Sequence, residues 1–561
     1  MLDSSVVIAG SAGEGVQTIG DAVARSVLRL GYPVFTTQEY ESRIRGGYSS
    51  YRVRITEHPQ NAPRSDADLL LALNERAAIR YRPLLREGGI LLTEEGKVGG
   101  AGAVGVVSIP FVRTASERFG TALYANSVAA GALLAALGAK TDGLEALLRE
   151  TFERKGDAVV LANVEAARTG YALAQKGLGT TSLVPLPQRK DTYTLISANE
   201  AIPLAAAYAG CRFIAAYPMS PSTEIITTLS REDGLGVFAE QAEDEISAVN
   251  MAIGASYAGA RAMTATSGGG FCLMVEAVSL AGMTETPLVI VLGQRPGPAT
   301  GLPTRTEQGD LLFAIHAGHG EFPKLVLAPA DPQDAFVKTV RAFSLADRYQ
   351  IPVLVLTDQF LADSRFSLEA FHLPGREPGS FLADPSQISR YRRYELTADG
   401  ISPRLYPGQS EHLVCLDSNE HTKEGHITED LQGVRRLMVE KRLTKLRNLK
   451  KEVALPEEAH VKDSDTLIAG WGSTRGAILE AVEALRASGE RIGMVHFTEV
   501  WPLPVYRFPQ GTTLLVAEGN ATGQFARLLR AEYGVVPART VGRYDGLPLT
   551  AQDIEGGVHA A

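Results

Sequence analysis

Short apolar segments alternate with helical segments along almost the whole chain, and this alternation constrains the fold more than any other feature. Near the N-terminus, strand-like segments such as VVIAG and ADLLLAL are followed by helical stretches such as SVAAGALLAALG. The alternation returns in the middle of the chain and again after residue 463. Strands that alternate with helices predict parallel sheets covered on both faces, so the expected fold class is α/β.

The alternation divides the 561 residues into three α/β modules, because the chain is too long for a single core. Residues 1–178 form the first predicted domain and residues 190–372 the second, with a polar, proline-containing linker between them. Residues 373–460 predict an irregular linker and a charged helix over 429–453. We interpret the basic residues of this helix as a solvated face, with a docking surface for a partner as the alternative. Residues 461–561 form a third, smaller domain.

Composition and charge exclude several classes of protein. The hydrophobic content of 45% and the charged content of 21% are typical of globular proteins. No apolar run approaches the roughly 20 residues of a membrane span, and the start of the sequence lacks a signal-peptide pattern. The net charge of −9 gives no reason to expect nucleic-acid binding. We therefore expect a cytoplasmic protein with neither membrane nor nucleic-acid partners.

The three cysteines, Cys211, Cys272 and Cys415, are far apart, and none belongs to a CxxC pair. This spacing excludes a self-contained four-thiolate iron–sulfur or zinc site. It is also typical of a reducing compartment. If the protein transfers electrons through iron–sulfur clusters, those clusters must lie on another chain.

A glycine-rich turn, GSAGEGVQTIG, joins the first strand to the first helix. Gly10, Gly13 and Gly15 follow the spacing GxxGxG, whereas a dinucleotide fingerprint has GxGxxG. The residue that would hold a ribose is expected near Gln38 or Glu39, and neither is an unambiguous candidate. Nucleotide binding, another anionic group at the helix N-terminus, and a plain tight turn all stay open as interpretations.

The strongest local signals lie in the second module, where strands end. In the segment AAYPMSPSTEI, Pro218 and Pro221 bracket Met219 and Ser220. Each proline favours an extended backbone in the residue before it, so Ser220 is held rigidly at the end of a strand. Ser222 is predicted to cap the helix that begins at Thr223. In open α/β sheets ligands bind at this end of the strands. The alternative is an ordinary proline-rich turn with hydroxyl groups as local caps.

Two further signals follow along the chain. The turn Ser267–Gly270 exposes backbone between a strand and a helix, which lets a flat ligand approach closely. Arg295 follows the apolar strand PLVIVLGQ and enters a loop rich in glycine and proline. A surface ion pair is the usual role of such an arginine, but its planar guanidinium also suits a carboxylate ligand.

Acidic residues crowd the start of a helix made of small residues. Glu240, Glu243, Asp244 and Glu245 form this cluster, and Glu243 and Asp244 suit the positive end of the helix dipole. Glu245 differs, because at helical spacing it shares a buried stripe with four residues. These are Ala248, Val249, Ala252 and Ser256. A carboxylate on a buried stripe is costly unless it is paired or takes part in chemistry.

A second cluster lies in the segment DSNEHTKEGHITED. It contains Glu420, His421, Glu424 and His426, which are residue types that bind metals. The segment is a predicted loop without the regular spacing that a helix provides, so a metal site is the minor alternative to a structural loop.

These features resemble the alpha subunit of the 2-oxoacid:ferredoxin oxidoreductases. The motifs that carry the resemblance are YPMSPSTE, EDEISAVNMAIGASYAG, TSGGGFCLM and QRPGPATGLPTRTEQGDL. The first module resembles the gamma subunit of that family through GSAGEGVQTIG and YESRIRGGYSSYRVRI. The gamma–alpha order, and EHTKEGHITED followed by a basic helix, are typical of the enzymes that act on 2-oxoglutarate. The resemblance covers almost the whole chain.

The resemblance implies a gamma-type Rossmann-like domain, a thiamine-diphosphate pyrimidine-binding domain and a small transketolase C-terminal-like domain. It implies oxidative decarboxylation of a 2-oxoacid with coenzyme A to an acyl-CoA, with electrons passing to ferredoxin, or the reverse reaction that fixes CO2. We expect 2-oxoglutarate as the substrate, with pyruvate or a branched-chain 2-oxoacid as the alternative. An alternative of another class is a non-catalytic, nucleotide-binding electron-transfer subunit.

The resemblance also implies roles for the cofactor-binding residues. Glu245 is expected to hydrogen-bond N1′ of the aminopyrimidine of thiamine diphosphate and to keep it protonated, which favours the imino form of the ring. Pro221, Ser267, Gly268 and Gly269 are expected to line the cofactor. No residue of this chain is expected to bind a metal there.

The substrate is expected to contact a separate set of residues. Ser220, Thr223 and Arg295 would bind the carboxylate and carbonyl of the 2-oxoacid, and Arg295 would also help to place the carboxylate that leaves as CO2. Many relatives have threonine where Ser220 stands. Glu14 replaces a glutamine that is common in the gamma glycine loop, which weakens the anion-binding interpretation there.

The chain lacks the GDG that begins the diphosphate–magnesium signature of thiamine enzymes, and it lacks cluster cysteines. The resemblance therefore implies a beta subunit that supplies the diphosphate half of the site, Mg²⁺ and at least one 4Fe–4S cluster. The expected assembly contains two alpha–beta pairs. Apolar strands that end in loops such as GQRPGPATG suit an interface.

Overall fold

The computed structural model describes residues 2–42, 47–97, 105–179, 185–375 and 381–560. The chain divides into two compact units. The first contains Met1–Ile196 and Ser364–Phe371, and the second contains Ser197–Asp363 and His372–Ala561. The second unit holds both of the later modules, so this division into two units does not test the domain boundaries expected from the sequence. Those boundaries stay predictions.

The elements before residue 197 are β1 (Asp3–Ser11), α1 (Val16–Arg29), β2 (Val34–Tyr40), β3 (Tyr48–Thr56), β4 (Ala67–Ala72), α2 (Glu75–Tyr81), β5 (Leu85–Glu94), β6 (Val106–Ile109), α3 (Phe111–Phe119), α4 (Ala125–Ala136), α5 (Asp142–Phe152), α6 (Asp157–Leu178) and β7 (Thr194–Ile196). The next are α7 (Ala198–Tyr208), β8 (Cys211–Ala216), α8 (Thr223–Arg231), β9 (Phe238–Gln241), α9 (Glu245–Tyr257), β10 (Arg261–Ser267), α10 (Gly268–Met283), β11 (Leu288–Gln294), α11 (Leu311–His316), β12 (Leu325–Leu327), α12 (Pro332–Tyr349), β13 (Pro352–Asp358), α13 (Gln359–Asp363) and β14 (Arg365–Leu368). The last are α14 (Arg436–Leu449), β15 (Glu457–Ala459), β16 (Thr466–Trp471), α15 (Arg475–Ala487), β17 (Ile492–Phe497), β18 (Glu499–Trp501), β19 (Thr513–Glu518), α16 (Gln524–Tyr533), β20 (Arg539–Gly542) and α17 (Ala551–His559).

The first unit contains a mixed sheet of eight strands in the order β6-β5-β4-β1-β3-β2-β14-β7. The strands β1, β4, β5 and β6 are parallel, as predicted. By contrast, β3 is antiparallel to both β1 and β2. Residues 41–47, which connect β2 to β3, are too few for the crossover that a parallel pair of these strands would require. The prediction of a wholly parallel sheet is wrong for this part. Residues 43–46 of the motif YESRIRGGYSSYRVRI lie outside the described residues.

Helices α4 and α6 pack against each other in the first unit with unusually little space between their backbones. A Cβ atom added to Gly131 would lie 1.9 Å from the carbonyl oxygen of Ala167, and one added to Gly170 would lie 1.9 Å from that of Val128. Glycine at both positions is therefore what allows these two helices to approach so closely.

The second unit contains two sheets. Seven strands follow the order β18-β12-β13-β11-β10-β8-β9, and all are parallel except β18 at one edge. Five strands follow the order β15-β17-β16-β19-β20, with only β15 antiparallel. Strand β18 belongs to the third predicted module, but it pairs with β12 and so extends the sheet of the second module. The three sheets confirm the α/β fold class.

The carboxyl ends of β8, β10, β11 and β13 lie at one edge of the seven-stranded sheet, since these strands are parallel. At this edge Asp358 of β13 accepts a hydrogen bond from the hydroxyl of Ser473. Helix α15 begins at Arg475, and Ser473, two residues earlier, does not cap it. The hydroxyl instead connects the two sheets of the second unit.

The predicted helix over 429–453 is shorter in the structure. Its interpretation as a solvated face holds for Arg435, Arg436 and Arg447, which are exposed, and is wrong for Lys441 and Lys445. A π-helical turn covers Leu431–Arg435, and α14 follows it. Lys441 and Lys445 are buried and both form ion pairs with the buried Glu285, with a distance of 2.6 Å between Lys441 Nζ and Glu285 Oε2. Burial alone would raise the pKa of Glu285, but these two ammonium groups and the Arg393 guanidinium hold it well below its usual range.

Among the described residues, no helix combines the length and apolar character that crossing a membrane requires.

Candidate active site

Glu245 is the first residue of α9, and its carboxylate is buried. Asp244 occupies the N-cap position and accepts a hydrogen bond from the Ser247 amide (2.7 Å), so it is Asp244 that satisfies the helix end. Glu245 is only 4% exposed. The predicted stripe is confirmed by four further buried residues of α9. These are Ala248, Val249, Ala252 and Ser256.

The Glu245 carboxylate faces the glycine turn that joins β10 to α10. A Cβ atom added to Gly270 would lie 2.6 Å from Glu245 Oε1 and 2.2 Å from Thr266 Oγ1, so any larger residue there would force these side chains to move. Glu245 Oε1 is buried without a hydrogen-bond partner among the described residues, and the same holds for the hydroxyl of Ser267. Because a buried oxygen without a donor is costly, these two atoms indicate a ligand that brings its own donor.

The residues present fit the aminopyrimidine that the resemblance implies. A carboxylate oxygen accepts hydrogen bonds, and a protonated ring nitrogen donates one, so Glu245 Oε1 and N1′ complement each other. Ser267 ends β10, while Gly268 and Gly269 begin α10. The nearest atom to a Cβ added at Gly269 would be 3.9 Å away, so the backbone there faces open space that a flat ring can enter.

The segment after β8 is attached to its neighbours through Pro221 and Ser222. Asn199 Nδ2 donates to the Pro221 carbonyl oxygen (2.7 Å), and Ser222 Oγ donates to the Thr266 carbonyl oxygen (2.6 Å). Helix α8 begins at Thr223, as predicted, but Ser222 makes no capping hydrogen bond, and that prediction is wrong. Its hydroxyl instead fixes this segment against the end of β10.

Arg295 directly follows β11 and reaches across to Ser220. Its Nη1 donates to the Ser220 carbonyl oxygen at 2.8 Å, so the structure brings these two predicted substrate-binding residues together. Among the described residues Arg295 forms no ion pair with a carboxylate, which leaves its remaining donors free for a ligand. Thr223, in the first turn of α8, makes no hydrogen bond to Arg295 or Ser220 within the described chain. The substrate-binding roles stay predictions.

Asp310 is a site residue that the sequence analysis missed. A Cβ atom added to Gly268 would lie 2.6 Å from Asp310 Oδ2, so the carboxylate rests directly on the glycine turn. Burial raises the pKa of Asp310 to about 6; the charge of Glu307 adds to the rise and that of Arg295 opposes it. Asp310 lies in the motif TEQGDL, but nothing in the sequence indicated that its loop folds back onto residues 267–270.

The glycine turn of the first unit contains an acidic group of the protein itself. Gly15 is at the N-cap of α1 with φ of 83°, a conformation that favours glycine. Glu14 Oε2 accepts hydrogen bonds from the Ser11 amide (2.6 Å) and from Asn74 Nδ2 (2.5 Å). A carboxylate at this place repels an anion, so the arrangement favours the plain-turn interpretation over nucleotide or anion binding.

Glu420 and His421 of the cluster at 420–426 contact other side chains of the protein. Glu420 forms ion pairs with Arg435 and Arg442, with 3.0 Å between Arg442 Nη2 and Glu420 Oε2. His421 is buried and stacks against Tyr394 with 3.8 Å between the ring centroids. In the part of the chain that the structure describes, no group of three or more His, Cys, Asp or Glu residues is arranged to hold a metal ion.

Known proteins match both units. Residues 5–173 match the family described as pyruvate ferredoxin/flavodoxin oxidoreductase, and residues 204–441 match the thiamine diphosphate-binding part of pyruvate flavodoxin/ferredoxin oxidoreductase. Subunit alpha of 2-oxoacid:ferredoxin oxidoreductase 2 from Aeropyrum pernix is 32% identical over 100% of this chain and 97% of its own length. The chain belongs to the family of 2-oxoacid:ferredoxin oxidoreductase alpha subunits. This family membership makes it an oxidoreductase subunit with a thiamine diphosphate-binding domain.

Two further relatives of this family lie close to the chain. The 2-oxoglutarate oxidoreductase subunit KorA of Mycobacterium tuberculosis is 30% identical over 99% of the chain and 90% of that protein. A solved structure of 2-oxoglutarate:ferredoxin oxidoreductase from Magnetococcus marinus, with 2-oxoglutarate, coenzyme A and succinyl-CoA bound, is 32% identical. It has a TM-score of 0.91 and covers 100% of this chain and 99% of its own. The similarity to both proteins thus extends along almost the full length of the chain.

Proposed function

We propose that this chain is the catalytic alpha subunit, with a fused gamma-type domain, of a 2-oxoglutarate:ferredoxin oxidoreductase. The reaction converts 2-oxoglutarate, coenzyme A and oxidised ferredoxin into succinyl-CoA, CO2 and reduced ferredoxin, and the reverse direction fixes CO2. The observation that carries the proposal is the unpartnered Glu245 carboxylate at the glycine turn, with the Arg295–Ser220 contact at the same sheet edge. The choice of 2-oxoglutarate is supported by the full-length similarity to enzymes named for that substrate.

Thiamine diphosphate, when bound, supplies the electron sink for loss of CO2. Glu245 holds the proton on N1′, and the bare backbone of Ser267–Gly270 gives the pyrimidine ring close access to this carboxylate. Arg295 binds the carboxylate of the 2-oxoacid, because its planar guanidinium matches two carboxylate oxygens. Its bond to the Ser220 carbonyl oxygen fixes its orientation and places Ser220 beside the substrate.

A beta subunit completes the proposed enzyme. The absence of GDG and of cluster cysteines from the sequence supports a partner that carries the diphosphate site, Mg²⁺ and a 4Fe–4S cluster. Ferredoxin and coenzyme A are the remaining reactants. We propose two alpha–beta pairs as the assembly.

The test is a substrate comparison on the reconstituted alpha–beta complex. With coenzyme A and ferredoxin present, we expect kcat/KM for 2-oxoglutarate to exceed kcat/KM for pyruvate and for branched-chain 2-oxoacids. A preference for pyruvate would reassign the substrate and keep the reaction class. No turnover of any 2-oxoacid by a fully loaded complex would reject the catalytic proposal.

A further inference from the structure

The proposed substrate arginine is held by a main-chain atom. Within the described chain, the hydrogen bond that Arg295 forms runs from its Nη1 to the Ser220 carbonyl oxygen, at 2.8 Å. A guanidinium has five N–H donors, so others are left for a carboxylate. Because the acceptor belongs to the backbone, the orientation of the guanidinium depends on where the chain lies at Ser220 and not on the Ser220 side chain.

The backbone around Ser220 is fixed by the two residues that follow it. Ser220 is exposed, so its own packing does not fix the position of its carbonyl oxygen. Pro221 and Ser222 are buried, and each is joined by a hydrogen bond to a different element of the fold. We name residues 220–222 the arginine anchor.

Asn199 attaches the arginine anchor to α7. Its Nδ2 donates to the Pro221 carbonyl oxygen at 2.7 Å, and the residue is only 2% exposed. The start of α7 is already capped, because the Ser197 hydroxyl and the Glu200 carboxylate each accept from the backbone amide of the other residue. The Asn199 amide therefore serves the arginine anchor and not the end of its own helix.

Ser222 attaches the arginine anchor to the seven-stranded sheet. Its hydroxyl donates to the Thr266 carbonyl oxygen of β10 at 2.6 Å and does not cap α8. The anchor also lies directly on β11, since a Cβ atom added to Gly293 would lie 2.7 Å from Ser222 Oγ and 2.9 Å from Pro221 Cγ. Gly293 is two residues before Arg295, so the anchor packs against the strand from which the arginine side chain emerges.

We propose that Asn199 and Ser222 are positioning residues for Arg295. They fix the backbone of the arginine anchor, and the anchor holds the guanidinium in the orientation in which it pairs with the 2-oxoacid carboxylate. This inference rests on the proposed function. Pairing of a planar guanidinium with two carboxylate oxygens depends on direction, and a displacement of about 1 Å in such a group costs up to about a hundredfold in rate.

Steady-state kinetics of the reconstituted alpha–beta complex test the inference. Asn199→Leu removes the amide donor at nearly constant size and adds no charge, and Ser222→Ala removes the hydroxyl. For both variants we expect kcat/KM for the preferred 2-oxoacid to fall about tenfold, mainly through a higher KM, because the arginine is present but misaligned. The KM for coenzyme A and the affinity for thiamine diphosphate should change by less than about twofold, because neither depends on Arg295.

Asn163→Leu is the matched control. Asn163 is 4% exposed, and its Nδ2 donates to the Val159 carbonyl oxygen at 2.8 Å on α6 of the first unit. The substitution therefore also removes a buried amide that bonds to a backbone carbonyl oxygen, but it leaves the arginine anchor intact. We expect this variant to keep the kcat/KM of the wild type.

A double-mutant cycle with Arg295→Lys separates positioning from general damage to the fold. Lysine keeps the positive charge, but its ammonium group is a point charge on a flexible stem, so its pairing with a carboxylate depends little on the arginine anchor. In this background Asn199→Leu and Ser222→Ala should each lower kcat/KM for the 2-oxoacid further by less than about twofold. A purely structural role of the two residues would give the same loss in both backgrounds.

An unchanged kcat/KM for the 2-oxoacid in both Asn199→Leu and Ser222→Ala, or equal losses with and without Arg295→Lys, would overturn the inference and leave the proposed function intact. If Asn199→Leu does not assemble, the cycle of Ser222→Ala with Arg295→Lys decides by the same criteria. A wild-type complex that oxidises no 2-oxoacid rejects the proposed function and the inference with it.

Discussion

Glu245 combines burial, an oxygen without a hydrogen-bond partner among the described residues, and close contact with Gly270, where a larger residue would displace it. A carboxylate kept only for stability would be paired, because burial of an unpaired acceptor is costly. The residue itself therefore carries most of the functional argument. Its burial was predictable from helical spacing, whereas its lack of a partner required coordinates.

Glu245→Gln tests this residue directly. The amide keeps the size of the side chain but cannot hold a proton on N1′, so we expect 2-oxoacid oxidation by the complex to fall by about a hundredfold or more. The exposed Glu243→Gln, two residues earlier, is the matched control and should retain activity. Size-exclusion chromatography should show normal assembly for both variants. Near-normal turnover of Glu245→Gln would remove Glu245 from catalysis.

At the scale of elements, the turn between β10 and α10 distinguishes two neighbouring glycines. In Gly270→Ala the added methyl group would collide with Thr266 and Glu245, whereas in Gly269→Ala it would meet nothing closer than 3.9 Å. We expect Gly270→Ala to displace the Glu245 carboxylate and weaken thiamine diphosphate binding at least tenfold. Gly269→Ala should bind the cofactor more tightly than Gly270→Ala. Calorimetric titration of the complex with thiamine diphosphate measures both, and equal affinities would contradict this account of the turn.

Helix α14 shows why charge pattern alone misled the sequence analysis. Its basic residues suit a solvated face, but Lys441 and Lys445 pair with Glu285, which is about 150 residues away in the chain and absent from any local pattern. The antiparallel pairing of β2 and β3 is a similar case, since only the short connection distinguishes it from the parallel pattern. Local periodicity predicted most elements, while long-range partners were not predictable.

Glu285→Gln tests the buried ion pairs. Lys441 and Lys445 share the Glu285 carboxylate as their counter-ion. Its loss leaves these buried ammonium groups without that compensation, and we expect a cost of about 3 kcal/mol in the free energy of unfolding. Burial lowers the pKa of both lysines, that of Lys445 to about 7, and the Glu285 charge opposes this fall. Without Glu285 the folded variant binds fewer protons than the folded wild type, so the cost should shrink as the pH rises from 7 to 9. Urea denaturation followed by circular dichroism measures both effects.

Glu440→Gln is the control on the same helix. Glu440 pairs with Arg436 one turn away on the exposed surface, where such a pair contributes about 0.5 kcal/mol or less. If both variants unfold at the same urea concentration, the Glu285 ion pairs contribute nothing measurable to stability.

For the whole molecule, sequence patterns predicted the α/β class and the family, because both depend on local patterns that extend over long stretches of the chain. They also predicted Glu245, Ser220 and Arg295 as candidates, and the structure brings Ser220 and Arg295 into contact. Asp310 was missed because its role depends on a loop that folds back onto α10, which is a tertiary feature. The residues whose roles could not be predicted from the sequence are those whose partners lie on other elements.

The assembly of the whole enzyme gives the last prediction. Exposed apolar side chains lie on the two helices next to the glycine turn, including Ile246 at 50% and Leu273 at 51% exposure. Such residues next to half of a cofactor site suit a subunit interface. We expect Leu273→Lys to prevent association with the beta subunit, since burial of an unpaired ammonium group is costly. Leu413→Lys, at a position 79% exposed in the irregular linker before α14, is the control and should assemble normally. Size-exclusion chromatography of the mixed subunits measures association, and normal co-elution of Leu273→Lys would place the beta subunit elsewhere.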